Sequence, residues 1–345
     1  MQRIFITGIC GFVGSNLAHY FQSQGYKVFG IDNLSRKGSE KNFKLLKKNG
    51  VKVFKGDLIK LKGFQPFKKK INFQGLIHCA SLTSVLDGTN SNSAEFLYKN
   101  NLLSTLHSLK LCNFLKSKFI YISSSRVYSI PEINKIKFQI RNNSFELKKN
   151  NLLGVSLKGI DENFSVKTPI SLYGSTKLMC ENFIQEYCMF NNIPFLINRC
   201  GLLAGSGQLY KGDQGIISFW INFWKKNKKL EYIGFGGKGY QVRDCLHPLD
   251  LANLIKKQIN FLKTKKLKTR IFNVSGGISS SFSLKELSIW CKKNISLKTI
   301  NHSKKTRPFD LKWIVLNNEK AKKLFKWKIK FSKNKILKDI NLNDN

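Results

Sequence analysis

The sequence predicts an α/β fold, with a doubly wound parallel sheet and a smaller second domain on its C-terminal side. Three observations predict it. Strand-like and helix-like segments alternate through the first 125 residues. A glycine-rich turn, Thr7-Gly8-Ile9-Cys10-Gly11-Phe12-Val13-Gly14, joins the first strand to the first helix. An acidic residue, Asp32, ends the second strand 18 positions after Gly14.

The elements follow in order. Arg3–Thr7 is a short β run, and Phe12–Gln24 places Phe12, Val13, Leu17, Ala18 and Phe21 at helical spacing. Lys27–Ile31 is β, Gly38–Asn49 a helix, Val51–Phe54 β, Leu61–Lys70 a helix and Gly75–Ala80 β. Ser93–Leu115 reads as one long helix and Lys118–Ser123 as the fifth strand. Residues 130–168 are polar, rich in Asn and Lys and weakly periodic. They read as an irregular excursion from the sheet, either a binding loop or an inert insertion. Pro169–Asn191 returns to helix and Pro194–Cys200 to strand; Ala204 to Arg243 is Gly-rich and aromatic. Pro248–Phe261 is a helix, Arg270–Val274 β, and Ser283–Lys292 a helix. The expected division is 1–200 for the sheet domain, 201–330 mainly for the second domain, and 331–345 as a basic tail; Asn317–Asn345 reads as Lys-rich, part helix and part tail.

Composition narrows the function classes. The 345 residues carry 60 Lys and Arg against 20 acidic residues, a formal net charge of +40. With 42% hydrophobic residues the chain has the apolar material for a core, which argues against disorder. No stretch of about 18 uncharged apolar residues is present, so no membrane-spanning helix is expected. The N-terminus runs straight into a strand pattern without a signal core, and a cytoplasmic location is expected. Lys outnumbers Arg by 52 to 8, and Asn is abundant. That bias suits drift toward A/T-rich codons better than a nucleic-acid footprint, in which Arg would be prominent. The eight cysteines form no CxxC pair and lie at no metal-ligand spacing, so free thiols and no metal are expected.

The glycine turn carries a physical mechanism. Gly8 permits a tight turn, Gly11 lets the backbone approach a pyrophosphate, and Gly14 allows close helix–strand packing. The helix N-terminus then offers free N–H groups to the anion. In this context of strand, helix and Asp32, the turn identifies a Rossmann-type dinucleotide site. The Asp32 carboxylate would hydrogen-bond the adenosine ribose and repel a 2′-phosphate, so NAD is favoured; Arg36 is the feature that would suit NADP. Asp57 ends the third strand, where it meets the adenine end or serves the turn. His78 ends the fourth strand and is given no catalytic role.

Tyr173 and Lys177 lie one turn apart on a predicted helix. A lysine ammonium there stabilises tyrosinate and equips Tyr173 to take a hydroxyl proton while hydride leaves for nicotinamide. Ser123-Ser124-Ser125 ends the fifth strand, followed by Val127-Tyr128, and a hydroxyl there can bond the reacting oxygen.

Together these residues resemble the extended short-chain dehydrogenase/reductase family, which holds nucleotide-sugar epimerases and dehydratases. The resemblance covers about residues 1–330. It implies NAD as cofactor, Tyr173 as acid/base, Lys177 as its tuning and ribose-binding partner, and Ser124 as the catalytic hydroxyl. The implied cofactor-binding set is Gly8, Gly11, Phe12, Val13, Gly14, Asp32, Asn33, Ser35, Arg36, Asp57, Leu58, Ala80, Asn101, Tyr173 and Lys177. Gln241 through His247 and Arg307 through Asp310 resemble the two segments whose arginines grip the substrate pyrophosphate. That implies Ser124, Gln214, Arg243 and Arg307 as substrate-binding residues. Dehydratases of the family carry Asp-Glu after the catalytic hydroxyl; Ser125-Arg126 stands there, which argues against dehydration. The segments Asp32 to Gly38, Asp213-Gln214-Gly215 with its aromatic run, and Gly239 to His247 are most similar to members that epimerise C2 of CDP-linked dideoxyhexoses. The excursion, with Gly159-Ile160-Asp161-Glu162, shares that similarity. The implied partner is a nucleotide-diphosphate sugar, CDP-linked, with a homodimer or homotetramer and no nucleic acid. A UDP-sugar 4-epimerase or a 4-ketoreductase is the alternative, and a non-catalytic RNA-binding protein the remote one.

Overall fold

Alternation in the first strand sets the layers. In β1 (Arg3–Thr7), Ile4 and Ile6 face one side and Phe5 the other, all fully buried. Such two-sided burial belongs to a parallel sheet covered by helices on both faces. A computed structural model describes residues 2–60, 71–86, 89, 91–210, 214–262, 267 and 269–344. The helix expected over Leu61–Lys70, and Asp213, lie outside the described residues.

Six further strands complete the main sheet: β2 (Lys27–Asp32), β3 (Lys52–Lys55), β4 (Gly75–His78), β5 (Phe119–Ser124), β6 (Phe195–Cys200) and β7 (Ile271–Val274). Their order is β7-β6-β5-β4-β1-β2-β3, and every pairing is parallel. The chain reverses direction across the sheet between β1 and β4, so a crevice opens there beyond the strands' carboxyl ends. One face packs Ile4, Ile6, Ile77 and Ile120 against helices Phe12–Ser23 and Pro248–Phe261. The other packs Phe5, Leu76, Phe119 and Tyr121 against helices Ser104–Phe114 and Leu172–Phe190.

Four expectations need correction. The boundary at residue 200 is crossed twice, because Pro248–Phe261 and β7 return to the main sheet. The long helix over Ser93–Leu115 is interrupted by a π-helical turn at Lys99–Leu103, which the apolar spacing does not signal. Residues 130–168 are ordered: a short helix, Ile130–Lys135, precedes hairpin Phe138–Arg141/Ser144–Leu147 and the small pair Val155–Ser156/Gly159–Ile160. Asn142 and Asn143 supply the two left-handed turn residues at φ +48° and +63°, a hairpin signal hidden by the polar composition. The expected basic tail is largely a helix, Lys333–Asn343, whose Ile336, Leu337 and Ile340 are buried at helical spacing beneath the lysines.

The smaller part centres on Trp220, Trp224, Tyr232, Phe282 and Leu287, joined by that last helix. The excursion packs Ile133, Ile136, Ile160 and Phe164 against Trp313, Ile314, Val315 and Leu316. It therefore ties the two halves together at their backs.

Candidate active site

The carboxyl ends of the central strands open into one cleft of about 800 Å³, walled on the far side by residues from Leu202 to Asp310. Every residue singled out above for cofactor or substrate lines it, except Asn101. No described residue of the excursion does.

At the glycine turn the backbone leaves no room for side chains. Gly8 has φ +66°, and a Cβ on Gly14 would lie 2.2 Å from the Gly8 carbonyl oxygen. Helix Phe12–Ser23 begins directly behind the turn, its first N–H groups at the cleft. Across the crevice, Asp32 Oδ2 accepts from Cys10 N at 2.9 Å and Oδ1 from Leu34 N at 2.8 Å. Burial pushes the Asp32 pKa above the usual carboxylate value, while backbone N–H groups of Leu34, Cys10 and Gly11 pull the other way. A fixed carboxylate beside a side-chain-free cradle fits the ribose and pyrophosphate of a dinucleotide. Arg36 Nη2 donates to the Leu209 carbonyl at 3.1 Å and to Gln214 Oε1 at 2.9 Å. This latch joins the cofactor wall to the opposite wall and places Gln214 at Arg36. Asp57 Oδ1 accepts from Ile59 N at 3.1 Å, so it serves its turn while lining the cleft.

The helix that carries Tyr173 and Lys177 is seated by two local features. Ser171, at φ +89°, caps it by accepting from Gly174 N at 3.1 Å. Gly174 lies so close to the turn Ser125–Val127 that a Cβ would sit 2.2 Å from the Arg126 carbonyl oxygen. This contact brings Tyr173 and Ser124 to the same cleft. Lys177 is buried; its Nζ donates to the Ile122 carbonyl at 3.0 Å and stands 4.8 Å from the Tyr121 ring centre. Burial pulls its pKa below the ordinary lysine value. One turn further along the helix, Glu181 takes Arg199 and Ser123 Oγ, locking the helix to β5 and β6. Such a set, a hydroxyl, a phenol and a buried cation, can move a proton to and from a substrate hydroxyl.

Two further residues, His78 and Asn101, turn away from the cleft. His78 is buried among Thr7, Thr105 and Ser108, with Nδ1 2.7 Å from Thr7 Oγ1, and burial lowers its pKa to about 3. Asn101 sits in the π turn and faces inward. Its Oδ1 accepts from Leu82 N at 2.9 Å and its Nδ2 donates to Thr176 Oγ1 at 2.9 Å, while Asn100 and Ser104 line the cleft instead. Asn101 thereby ties the segment after β4 to the helix of Tyr173 and Lys177.

At the far end, Arg243 Nη2 pairs with Asp310 Oδ1 at 3.0 Å, and Nη1 donates to the Leu311 carbonyl at 2.9 Å. Arg307 lines the same end. Sequence reasoning assigned no role to Arg126 or Asp310; the scarcity of Arg was the signal available for the first.

The NAD dependent epimerase/dehydratase family profile matches residues 4–275, most of the chain. The chain belongs to that family. Its cofactor is accordingly NAD, and the cradle of Gly8, Gly14 and Asp32 fits that molecule. The family is one of sugar epimerase- and dehydratase-type enzymes. Among curated relatives, CDP-paratose 2-epimerase of Salmonella typhi is 28% identical over 83% of this chain and 82% of its own. The dTDP-D-glucose 4,6-dehydratase of Dictyostelium discoideum is 29% identical over 73% of this chain and 54% of its own. UDP-glucose 4-epimerase of Bacillus subtilis is 23% identical over 95% and 93%. Among solved structures, UDP-glucuronic acid 4-epimerase from Bacillus cereus, in complex with UDP-glucuronic acid and NAD, shares the fold. It superposes with a TM-score of 0.77 at 21% identity, covering 99% of this chain and 98% of that one. Among the described residues, no helix of this family member is long and apolar enough to cross a membrane.

Proposed function

We propose that this enzyme is a nucleotide-sugar epimerase, and specifically a CDP-paratose 2-epimerase that inverts C2 through a transient 2-keto sugar. The observation that carries the reading is the convergence of Ser124, Tyr173 and Lys177 with Arg243 and Arg307 in the cleft that holds the dinucleotide cradle. Similarity to the Salmonella typhi enzyme along most of both chains supports the choice of sugar.

NAD, when bound, accepts a hydride from the sugar carbon and returns it. Tyr173, as phenolate, takes the proton of the C2 hydroxyl and later gives it back. Lys177, a cation one turn away, favours that phenolate. Ser124 Oγ hydrogen-bonds the reacting oxygen. Arg243 and Arg307 grip the diphosphate while the flat ketone turns its other face, and bidentate contact makes Arg the suitable cation. Net redox is zero, so the cofactor need never leave. Arg126, where dehydratases carry an acid, supports epimerisation over dehydration.

A UDP-sugar 4-epimerase is the second reading, favoured by the similarity of such enzymes along nearly the whole chain. One experiment separates the two. Purified protein is denatured and its released nucleotide identified by mass spectrometry, and native protein is then followed by NMR with CDP-, UDP-, GDP- and dTDP-sugars. Interconversion of CDP-paratose and its C2 epimer without net NADH production is expected. Activity on a UDP-hexose alone selects the 4-epimerase, and inactivity on all four series refutes both.

A further inference from the structure

The sugar end of the cleft holds more positive charge than the two arginines expected there. Arg126 follows β5 directly, in the turn Ser125–Val127, and lines the cleft together with Arg243 and Arg307. Its Nη1 donates to the Phe309 carbonyl at 3.0 Å, which uses one of the five N–H groups of a guanidinium. Arg243 is seated on the next two residues of the same segment, Asp310 and Leu311. Three guanidinium groups thus gather at one short segment, and the Asp310 carboxylate there pairs with Arg243. Asp244, beside Arg243 in the chain, turns instead to Leu316 N at 2.8 Å. Burial and the neighbouring Arg243 pull the Arg126 pKa down to about 10, which leaves it a cation at neutral pH. Like charges held this close are stable where an anion is shared between them.

Position distinguishes Arg126 from the other two. It is two residues from Ser124, its carbonyl packs under Gly174, and Tyr173 is among the charged and polar groups whose field it feels. An anion bound there lies next to the reacting sugar rather than at the nucleoside end.

Resting on the nucleotide-sugar reading above, we infer that Arg126 is a third substrate-binding arginine, which grips the phosphate bonded to the sugar while Arg243 and Arg307 hold the rest of the diphosphate. The grip anchors the sugar beside Tyr173 at the point about which it must turn. It also couples substrate to the Arg307–Asp310 segment through the Phe309 carbonyl.

The test compares CDP with CMP, which lacks that phosphate, by isothermal titration calorimetry on wild-type protein, Arg126→Gln, Arg126→Lys and the exposed control Arg141→Gln. UDP, GDP and dTDP with their monophosphates are run alongside. Bound NAD, measured after denaturation, reports that each variant is folded and loaded. For the diphosphate that binds wild type, Arg126→Gln should weaken affinity about 10- to 100-fold, the worth of a charge-assisted hydrogen bond. Affinity for the matching monophosphate should change less than about twofold, as expected of a contact made to one phosphate only. Arg126→Lys should fall between, and Arg141→Gln should match wild type. Equal weakening of the diphosphate and the monophosphate, or none of either, overturns the assignment and leaves the nucleotide-sugar reading standing. Wild-type protein that binds none of the four diphosphates overturns both.

Discussion

Replacing Arg199 by Leu should remove about 3–5 kcal/mol of stability, because it strands a buried carboxylate. The Arg199 side chain is 6% exposed and that of Glu181 1%. Arg199 Nη2 meets Glu181 Oε2 at 2.7 Å, and Nε reaches both carboxylate oxygens at 3.1 Å. After the substitution, Ser123 Oγ remains on Oε1 and the carboxylate keeps only the more distant field of Lys177, one turn back on the helix. Removing both charges, as Glu181→Met with Arg199→Leu, abolishes the desolvation cost along with the attraction. The double variant should therefore recover at least about 2 kcal/mol of the single variant's loss. Both variants forfeit the stacking of Arg199 5.1 Å from the Tyr128 ring centre, so that contribution cancels in the comparison. Urea unfolding followed by tryptophan fluorescence, with NAD fixed and saturating, reads the comparison. A double variant as unstable as the single one would refute the reasoning.

Three other outcomes follow from the site. Tyr173→Phe should reduce turnover by about 10²- to 10⁴-fold, the usual worth of a general acid/base; NMR turnover with quantified bound NAD checks this, and wild-type rates in the variant sink the assignment. Gly14→Ala should lose NAD, since the new Cβ meets the Gly8 carbonyl oxygen at 2.2 Å; nucleotide retained at wild-type stoichiometry contradicts the cradle geometry. Asp244→Asn should change the pH dependence of stability. Burial raises the Asp244 pKa to about 6, so its stabilising contribution is present at low pH and fades as pH rises through that value. The variant, which does not titrate, should gain on wild type by about 2 kcal/mol between pH 4 and pH 7; parallel urea midpoints across that range would show the reverse.

Features with a strong local cause are legible in the sequence. Glycine spacing fixes the backbone of the first turn, and two-sided apolar strands demand covering helices, so the sheet and its cradle follow from short stretches. Tyr173 and Lys177 were readable as a pair because i, i+4 spacing decides which side chains share a helix face. Long-range causes were hidden. Asn101 was expected at the cofactor, but in its π turn the side chain makes four hydrogen bonds, to Ser81, Leu82 and Thr176. No local pattern records a partner 75 positions away. Composition misled twice. Lysines concealed the apolar face of Lys333–Asn343, and asparagines concealed a hairpin turn that they in fact enable. Gly174 carries no local signal, because its significance lies in the Arg126 carbonyl packed against it.

The charge imbalance takes its meaning from where the two cations stand. Among the described residues Lys177 is the sole buried lysine, so nearly all of the +40 sits where a flexible point charge meets water. The arginines are distributed otherwise. Arg36, Arg126, Arg243 and Arg307, half of the eight, line one cleft. Arg199 holds a buried carboxylate by two nitrogens, and Arg270 stacks 5.3 Å from the Phe195 ring centre. Arg199 and Arg243 each use two nitrogens of the planar fork, and Arg270 uses its face, which an ammonium cannot reproduce. Drift toward lysine can proceed wherever charge alone suffices, and it halts where geometry is required. Four of the eight arginines stand in the cleft, and that concentration favours, under the reading proposed above, a phosphate-bearing ligand there over a polyanion spread across the surface.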